Sequence, residues 1–146
     1  MNPFIASVMN VKYDVLFVIL SKYKDAIDLN CKNSKGMTSL HILCLQDSLT
    51  MEGQRILINS PYLKINEKEK INGYTPLHLA VVKGNIEVVK FLFQIPFLNL
   101  HALDNDDNTP FHLIFKSKKC YHMLKLFLLH SSSEFDLMKR NKKVFI

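Results

Sequence analysis

The 146-residue chain is short of the features by which most function classes are recognised. It has only three cysteines, Cys31, Cys44 and Cys120, an odd count at wide and unrelated spacings. That pattern fits neither a disulfide framework nor a zinc knuckle, so reduced thiols are expected. No apolar run approaches the ~20 residues that cross a bilayer; the longest is Val15-Leu16-Phe17-Val18-Ile19-Leu20. The opening residues Met1-Asn2-Pro3-Phe4 carry no basic cluster ahead of an apolar stretch and a small-residue cleavage site. This argues against a secretory signal and for a cytoplasmic or nuclear location. Arginine is scarce too: the formal charge of +6 is almost all lysine, with Arg55 and Arg140 the only arginines. Bidentate readout of bases or phosphates is poorly provisioned, so nucleic acid is not the expected partner, and neither is a membrane.

What is present argues for one folded domain over residues 1–146. A hydrophobic content of 48% with 22% charged residues can bury a core and is unlike the low-hydrophobicity, high-charge composition of disordered chains. The abundance of Lys, Asn and Ile resembles the coding bias of an AT-rich genome and points towards a pathogen, a virus or a protist. From such a source the chain would work in the host cytosol.

The strongest signal is internal repetition. Thr75-Pro76-Leu77-His78-Leu79-Ala80 returns 34 residues later as Thr109-Pro110-Phe111-His112-Leu113-Ile114 and stands 37 residues earlier as Thr38-Ser39-Leu40-His41-Ile42-Leu43. Each copy should open a helix. Thr at the N-cap accepts from an unpaired backbone N–H, and Pro at the first helical position presets φ without losing a useful donor. Behind each opening comes a turn and a second apolar helix such as Ile86–Phe93, striped at i, i+3 and i+4. Two helices cannot bury such faces alone, so the units must stack.

Gly73 to Phe93, reading GYTPLHLAVVKGNIEVVKFLF with Gly84-Asn85 at the inter-helix turn, resembles an almost complete ankyrin repeat. The Gly two residues before the Thr recurs as Gly36, and the acidic or amide residue five before it as Asn33 and Asp104. In the third copy Asp107 replaces that Gly, which leaves the hairpin open to distortion, although Asp tolerates positive φ better than most residues. The resemblance implies an all-α ankyrin-repeat solenoid of about four helix-turn-helix repeats joined by short β-hairpin-like loops. The frame places a degenerate N-terminal repeat at 2–33, repeats at 34–70, 71–104 and 105–140, and the start of an incomplete repeat or tail at 141–146. Within it, Glu134-Phe135-Asp136-Leu137-Met138 matches Phe97-Leu98-Asn99-Leu100-His101 and Ala26-Ile27-Asp28-Leu29-Asn30. Two extra residues fall between Asp47 and Gly53 and one more in the hairpin containing Glu67 to Asn72. The connections Ser60-Pro61-Tyr62 and Ile95-Pro96-Phe97 are each expected to pack an aromatic ring over the helix ends. No polar capping helix is visible at the C-terminal end, so the stack is expected to be a monomer, or to be completed at its C-terminal face by a partner or by more chain.

Candidate chemistry is sparse. In the ankyrin family the histidine of the motif ties neighbouring hairpins together, so Thr38, His41, Thr75, His78, Thr109 and His112 are expected to be structural and His41, His78 and His112 no metal site. Cys120, His122, His101 and His130 follow no ligand or nucleophile spacing. Asp104, Asp106 and Asp107 lack the Gly and Glu that a calcium loop requires. Neither enzymatic activity nor a cofactor is expected. The cluster Lys139-Arg140-Asn141-Lys142-Lys143 reads as a nuclear localisation signal, as a contact for an acidic partner, or equally well as a solvated hairpin tip.

The resemblance implies a non-enzymatic protein-interaction module working through the concave face of hairpin tips and inner helices. The residues it places there for a partner are Met37, Leu45, Gln46, Ile71, Asn72, Tyr74, Val82, Lys83, Asn105, Asp106, Asn108 and Lys116, accompanied by Met9, Asn10, Ser34, Lys35 and Ser117. Met37, Leu45, Ile71, Tyr74 and Val82 would form an apolar centre, with Lys68 and Lys70 on one tip and Asp104, Asp106 and Asp107 on the next to orient the partner. Two settings follow: a pathogen or viral effector or inhibitor acting on a host protein, in the manner of ankyrin inhibitors of Rel-type transcription factors; or the targeting or substrate-recruiting portion of a longer enzyme or ubiquitin-ligase-type assembly.

Overall fold

The structure is a computed structural model that describes residues 28–45, 54–55, 57, 59–60 and 63–130. Most of the N-terminal repeat, Met9, Asn10, Gln46, the insertion near Asp47 to Gly53, Tyr62, Glu134–Met138 and the basic cluster at 139–143 lie outside the described residues. Among the described residues all regular structure is helical: α1 (Ser39–Cys44), α2 (Pro76–Lys83), α3 (Ile86–Phe93), the 3₁₀ segment η1 (His112–Lys116) and α4 (Cys120–His130). None of these helices is long and apolar enough to cross a membrane.

The helices start where the motif says they should. The Thr38 and Thr75 side chains accept from the N–H of His41 and His78, and the imidazole Nδ1 of each histidine accepts from the N–H of its threonine at 3.1 Å. This reciprocal capping satisfies two end donors at once, with histidine in the place more often taken by Glu or Gln. α2 then stops at Gly84, whose φ of 77° closes a left-handed C-cap that a side chain would strain. Asn85 begins α3 by accepting from Val88 N–H.

The third copy keeps the cap but not the α-helix. Thr109 N–H donates to His112 Nδ1 at 3.0 Å, as in the other copies. Yet Leu113, Ile114 and Ser117 donate to carbonyls three residues back, so the turn is wound as 3₁₀. Position 118, equivalent to Gly84, is lysine, and the chain leaves η1 at Ser117 in extended conformation (ψ 141°) instead of through a left-handed glycine. Without that C-cap the last turn tightens.

The core runs through the stack without a break. α1 packs on α2, α2 on both η1 and α3, and α4 on η1 and α3. Leu40, Leu43, Leu57, Leu77, Ala80, Val81, Val88, Val89, Phe91, Leu92, Leu113, Ile114, Met123 and Phe127 are buried in one cluster, each large side chain contributing about 1.5–3 kcal/mol of burial. Phe127 of α4 closes it, edge-on to Phe93 at 5.1 Å and tilted against Phe111 at 6.1 Å. Phe97 does not join in. Instead of covering a helix end it is 94% exposed, because its φ of 66° turns the side chain out while its carbonyl accepts from Asn66 Nδ2.

Candidate functional site

Each hairpin tip is built round one side-chain acceptor. Asn33 Oδ1 accepts the N–H groups of Lys35 and Met37, and Asp104 Oδ1 those of Asp106 and Asn108. The backbone closes in step, Asn33 N–H to Met37 O and Asp104 N–H to Asn108 O. Asp107, with φ 60°, makes the same tip that Gly36 makes with φ 75°. Of the two outcomes the sequence left open, the undistorted tip is the one found, aspartate tolerating the left-handed region better than most residues.

The middle tip is one residue longer, closing from Glu69 N–H to Tyr74 O. A longer acidic side chain matches the longer loop: Glu69 Oε1 accepts from Asn72 and Tyr74, and Oε2 from Ile71 at 2.7 Å. Burial pushes the Glu69 carboxyl up, but these backbone donors outweigh it and hold the group below the usual carboxylate range. The sequence does not single out Glu69 as a six-before-Thr counterpart of Asn33 and Asp104. The inserted residue is the signal that would have found it.

Neighbouring tips are laced together. Lys70 N–H donates to Lys35 O and Asn105 N–H to Asn72 O, both at 2.9 Å. His41 Nε2–H donates to Tyr74 O at 2.9 Å and His78 Nε2–H to Asn108 O at 3.0 Å. Since Nδ1 of each ring accepts from a backbone N–H, the proton must sit on Nε2. Burial pulls both imidazoles below their ordinary range, more than the carbonyl bonds restore, so both rings are neutral. His41 and His78 each tie their own unit to the next hairpin, whereas His112 Nε2 has no hydrogen-bond partner among the described residues. Among the described residues no three His, Cys, Asp or Glu side chains converge as a metal site would require.

On this scaffold the expected binding residues separate. Ile71 stands out at 63% exposure on the middle tip, with Asn72 and Lys70 exposed beside it and Leu45 at 38% on the neighbouring repeat. Lys83, Lys116 and Asn105 are exposed, as are Ser34 and Lys35, while Met37, Val82 and Asp106 are half-buried. Tyr74 is half-buried and stacked on His78 with centroids 5.5 Å apart, so much of its ring supports the fold. Asn108 and Ser117, expected on the face, are instead buried. The Asn108 amide is held by the Asp104 carboxylate, and the Ser117 hydroxyl accepts from Lys119 N–H at 3.2 Å. Asp104 is buried as well, spent on the backbone of its own tip. The charge division therefore reduces to exposed Lys68 and Lys70 on one tip and Asp106 and Asp107 on the next. Phe115, six residues after its motif threonine as Cys44 and Val81 are after theirs, is 68% exposed where those two are buried.

A family model described as ankyrin repeats in three copies matches residues 4–101. The third motif copy lies past that stretch, yet it repeats the same tip and cap. The chain is similar to palmitoyltransferase AKR1 of Saccharomyces cerevisiae, 40% identical over 90 residues, which is 61% of this chain and 11% of that protein. It is similar to I-Kappa-B like protein C2 of Microplitis demolitor bracovirus, 31% identical over 81 residues, 56% of this chain and 45% of that protein. It is also similar to alpha-latrotoxin-Lg1a of Latrodectus geometricus, 30% identical over 99 residues, 68% of this chain and 7% of that protein. The matched stretch thus spans under half the length of each of these relatives.

Proposed function

The chain belongs to the ankyrin-repeat family, and from that premise we propose that it binds a partner protein through the hairpin tips and inner-helix faces gathered around Ile71. A repeat domain of this family is a non-catalytic interaction module; which residues touch the partner is the finer reading. The observation that carries it is Ile71, a β-branched apolar residue 63% exposed on a tip whose backbone is held by Glu69 on one side and laced to both neighbours. A soluble stack gains nothing from an isoleucine there, whereas a rigid apolar anchor costs little entropy to bury against a partner. Leu45, Asn72, Val82, Lys83, Asn105 and Lys116 share its face in this reading, and Lys70 on its tip with Asp106 on the next sets the partner's orientation.

The test is affinity capture from host-cell lysate with the wild-type chain and with Leu45→Ser/Ile71→Ser, both shown by thermal melting to fold alike. Specifically captured protein should be lost from the double variant. Equal capture by both chains would contradict the reading.

Two settings have support. Similarity to an I-Kappa-B like protein of a bracovirus favours a viral or pathogen inhibitor acting in the host cytosol or nucleus, with Rel-type transcription factors the first partners to try. Similarity to a small part of a palmitoyltransferase favours the recruiting portion of a longer enzyme, and the length of the natural open reading frame separates the two.

A further inference from the structure

Successive units meet at fixed positions, and the third unit departs from the other two at each of them. His41 and His78 each donate Nε2–H to the carbonyl of the residue just before the next motif threonine. His112 sits in the same cap, with Thr109 N–H on its Nδ1, so its proton is on Nε2 as well. Yet His112 is only 7% exposed and its Nε2 has no hydrogen-bond partner among the described residues. A buried N–H left unbonded is costly, so an acceptor belongs there. Three residues on, Phe115 is largely exposed, whereas Cys44 and Val81, at the same distance from their threonines, are buried. The 3₁₀ winding brings the two together, because residues three apart eclipse and Phe115 therefore stands over His112, about 6 Å along the axis of η1. Lys118 comes three further on and replaces Gly84, the residue whose Cβ would point at Ser117 and Lys119 of the following unit.

We propose that this face is a second protein-binding site. It takes an extended segment of a partner that gives His112 Nε2–H a main-chain carbonyl, Phe115 an apolar side chain and Lys118 a carboxylate. A main-chain carbonyl is what His41 and His78 already take. Charge specifies the rest. Between Asp107 and Glu134 the sequence has no acidic residue, while Lys116, Lys118, Lys119 and Lys125 are exposed and form no ion pair among the described residues. Asp106 and Asp107 lie on the tip, at the opposite end of η1 from Lys118, so the partner's acid belongs at the end of the segment away from the tip. An extended chain advances about 3.3 Å per residue and turns alternate side chains to one side. Apolar and acidic side chains two residues apart therefore match the spacing from Phe115 to Lys118. Nucleic acid fits less well, because no arginine stands between Arg55 and Arg140 to read phosphate in bidentate fashion. The tip of the third unit, laced to Asn72 O through Asn105 N–H, separates this face from the tip that carries Ile71.

The experiment uses the full chain with Ile71→Ser, which keeps the tip out of the measurement so that either binding reading can fail alone. Phage-displayed random dodecapeptides are selected on it and counter-selected on the same chain with Phe115→Ser and Lys118→Glu added. Both added changes are at exposed positions, and thermal melting checks that the variants fold alike. Enriched peptides should carry an apolar and an acidic residue two apart. Once synthesised, they should bind at least about tenfold more weakly when either Phe115→Ser or Lys118→Glu is present. In NMR they should slow exchange of His112 Nε2–H and leave the His41 and His78 ring signals unchanged. Loss of every peptide on counter-selection, or bound peptides that leave His112 Nε2–H exchange as it was, would overturn the proposal. So would oligouridylate binding this face more tightly than the peptides do, or a His112 Nε2–H already protected in the free chain, which would show that the chain itself or a second copy holds the place.

Discussion

Glu69 accepts three backbone N–H groups from a loop that has one residue more than its counterparts, and aspartate is too short to reach the same donors. Glu69→Ala and Glu69→Asp should therefore both destabilise the chain, the first by about 1–3 kcal/mol, as read by denaturant unfolding; an unchanged midpoint for Glu69→Ala would show that the tip does not depend on it. The histidines give a pH dependence with a definite sign. Burial lowers His41 and His78 in the folded chain, so the unfolded chain takes up protons first as the pH drops. Their stabilising contribution is intact above the unfolded value of ~6.5 and is lost as the pH falls below it through the folded values. Glu69, also depressed, adds a second loss in the more acidic range where carboxylates protonate. The melting temperature should fall on acidification from about pH 7.5 to about pH 5.5, and a flat profile would count against the buried neutral rings. Phe97 carries positive φ with its ring in solvent; Phe97→Gly relieves roughly 1 kcal/mol of strain and should raise the melting temperature.

The elements are set by their ends. Gly84 closes α2 with φ 77°, and a Cβ added there would come within 3.0 Å of Ser117 Oγ. Gly84→Ala should cost more than the ~1 kcal/mol that such a substitution gains where the backbone allows it, and circular dichroism should show helix lost from the α2–α3 pair. Thr-x-x-His made the helix starts legible, because the cap is a local exchange of bonds that sequence spacing encodes directly. The 3₁₀ winding of η1 was less so. The absent glycine at position 118 was visible, but not that a lysine there would release the chain at Ser117. The exposed Phe97 went against the expectation that it packs over a helix end, since nothing in Ile95-Pro96-Phe97 reveals a left-handed backbone.

Among the described residues the stack is held by an apolar seam inside and a ladder of hydrogen bonds along the tips. The repeat period pointed to both between the first and third motif copies, where Lys70 N–H meets Lys35 O as Asn105 N–H meets Asn72 O. The binding face was legible only in outline. Repeat position separated Ile71, Leu45 and Lys83 from the core, but Asn108 and Asp104 were drawn inside by bonds of the hairpin tip, and Ser117 is buried at the end of η1, where it accepts from Lys119 N–H. Fold alone names no partner, so the account rests on where a partner touches. That is tested most directly by placing a photo-crosslinking amino acid at Ile71 in one chain and at exposed Lys90 on α3 in another, then irradiating each in cell lysate. A discrete crosslinked protein from position 71 and none from position 90 is the predicted result; crosslinking from position 90 with none from position 71 would contradict it.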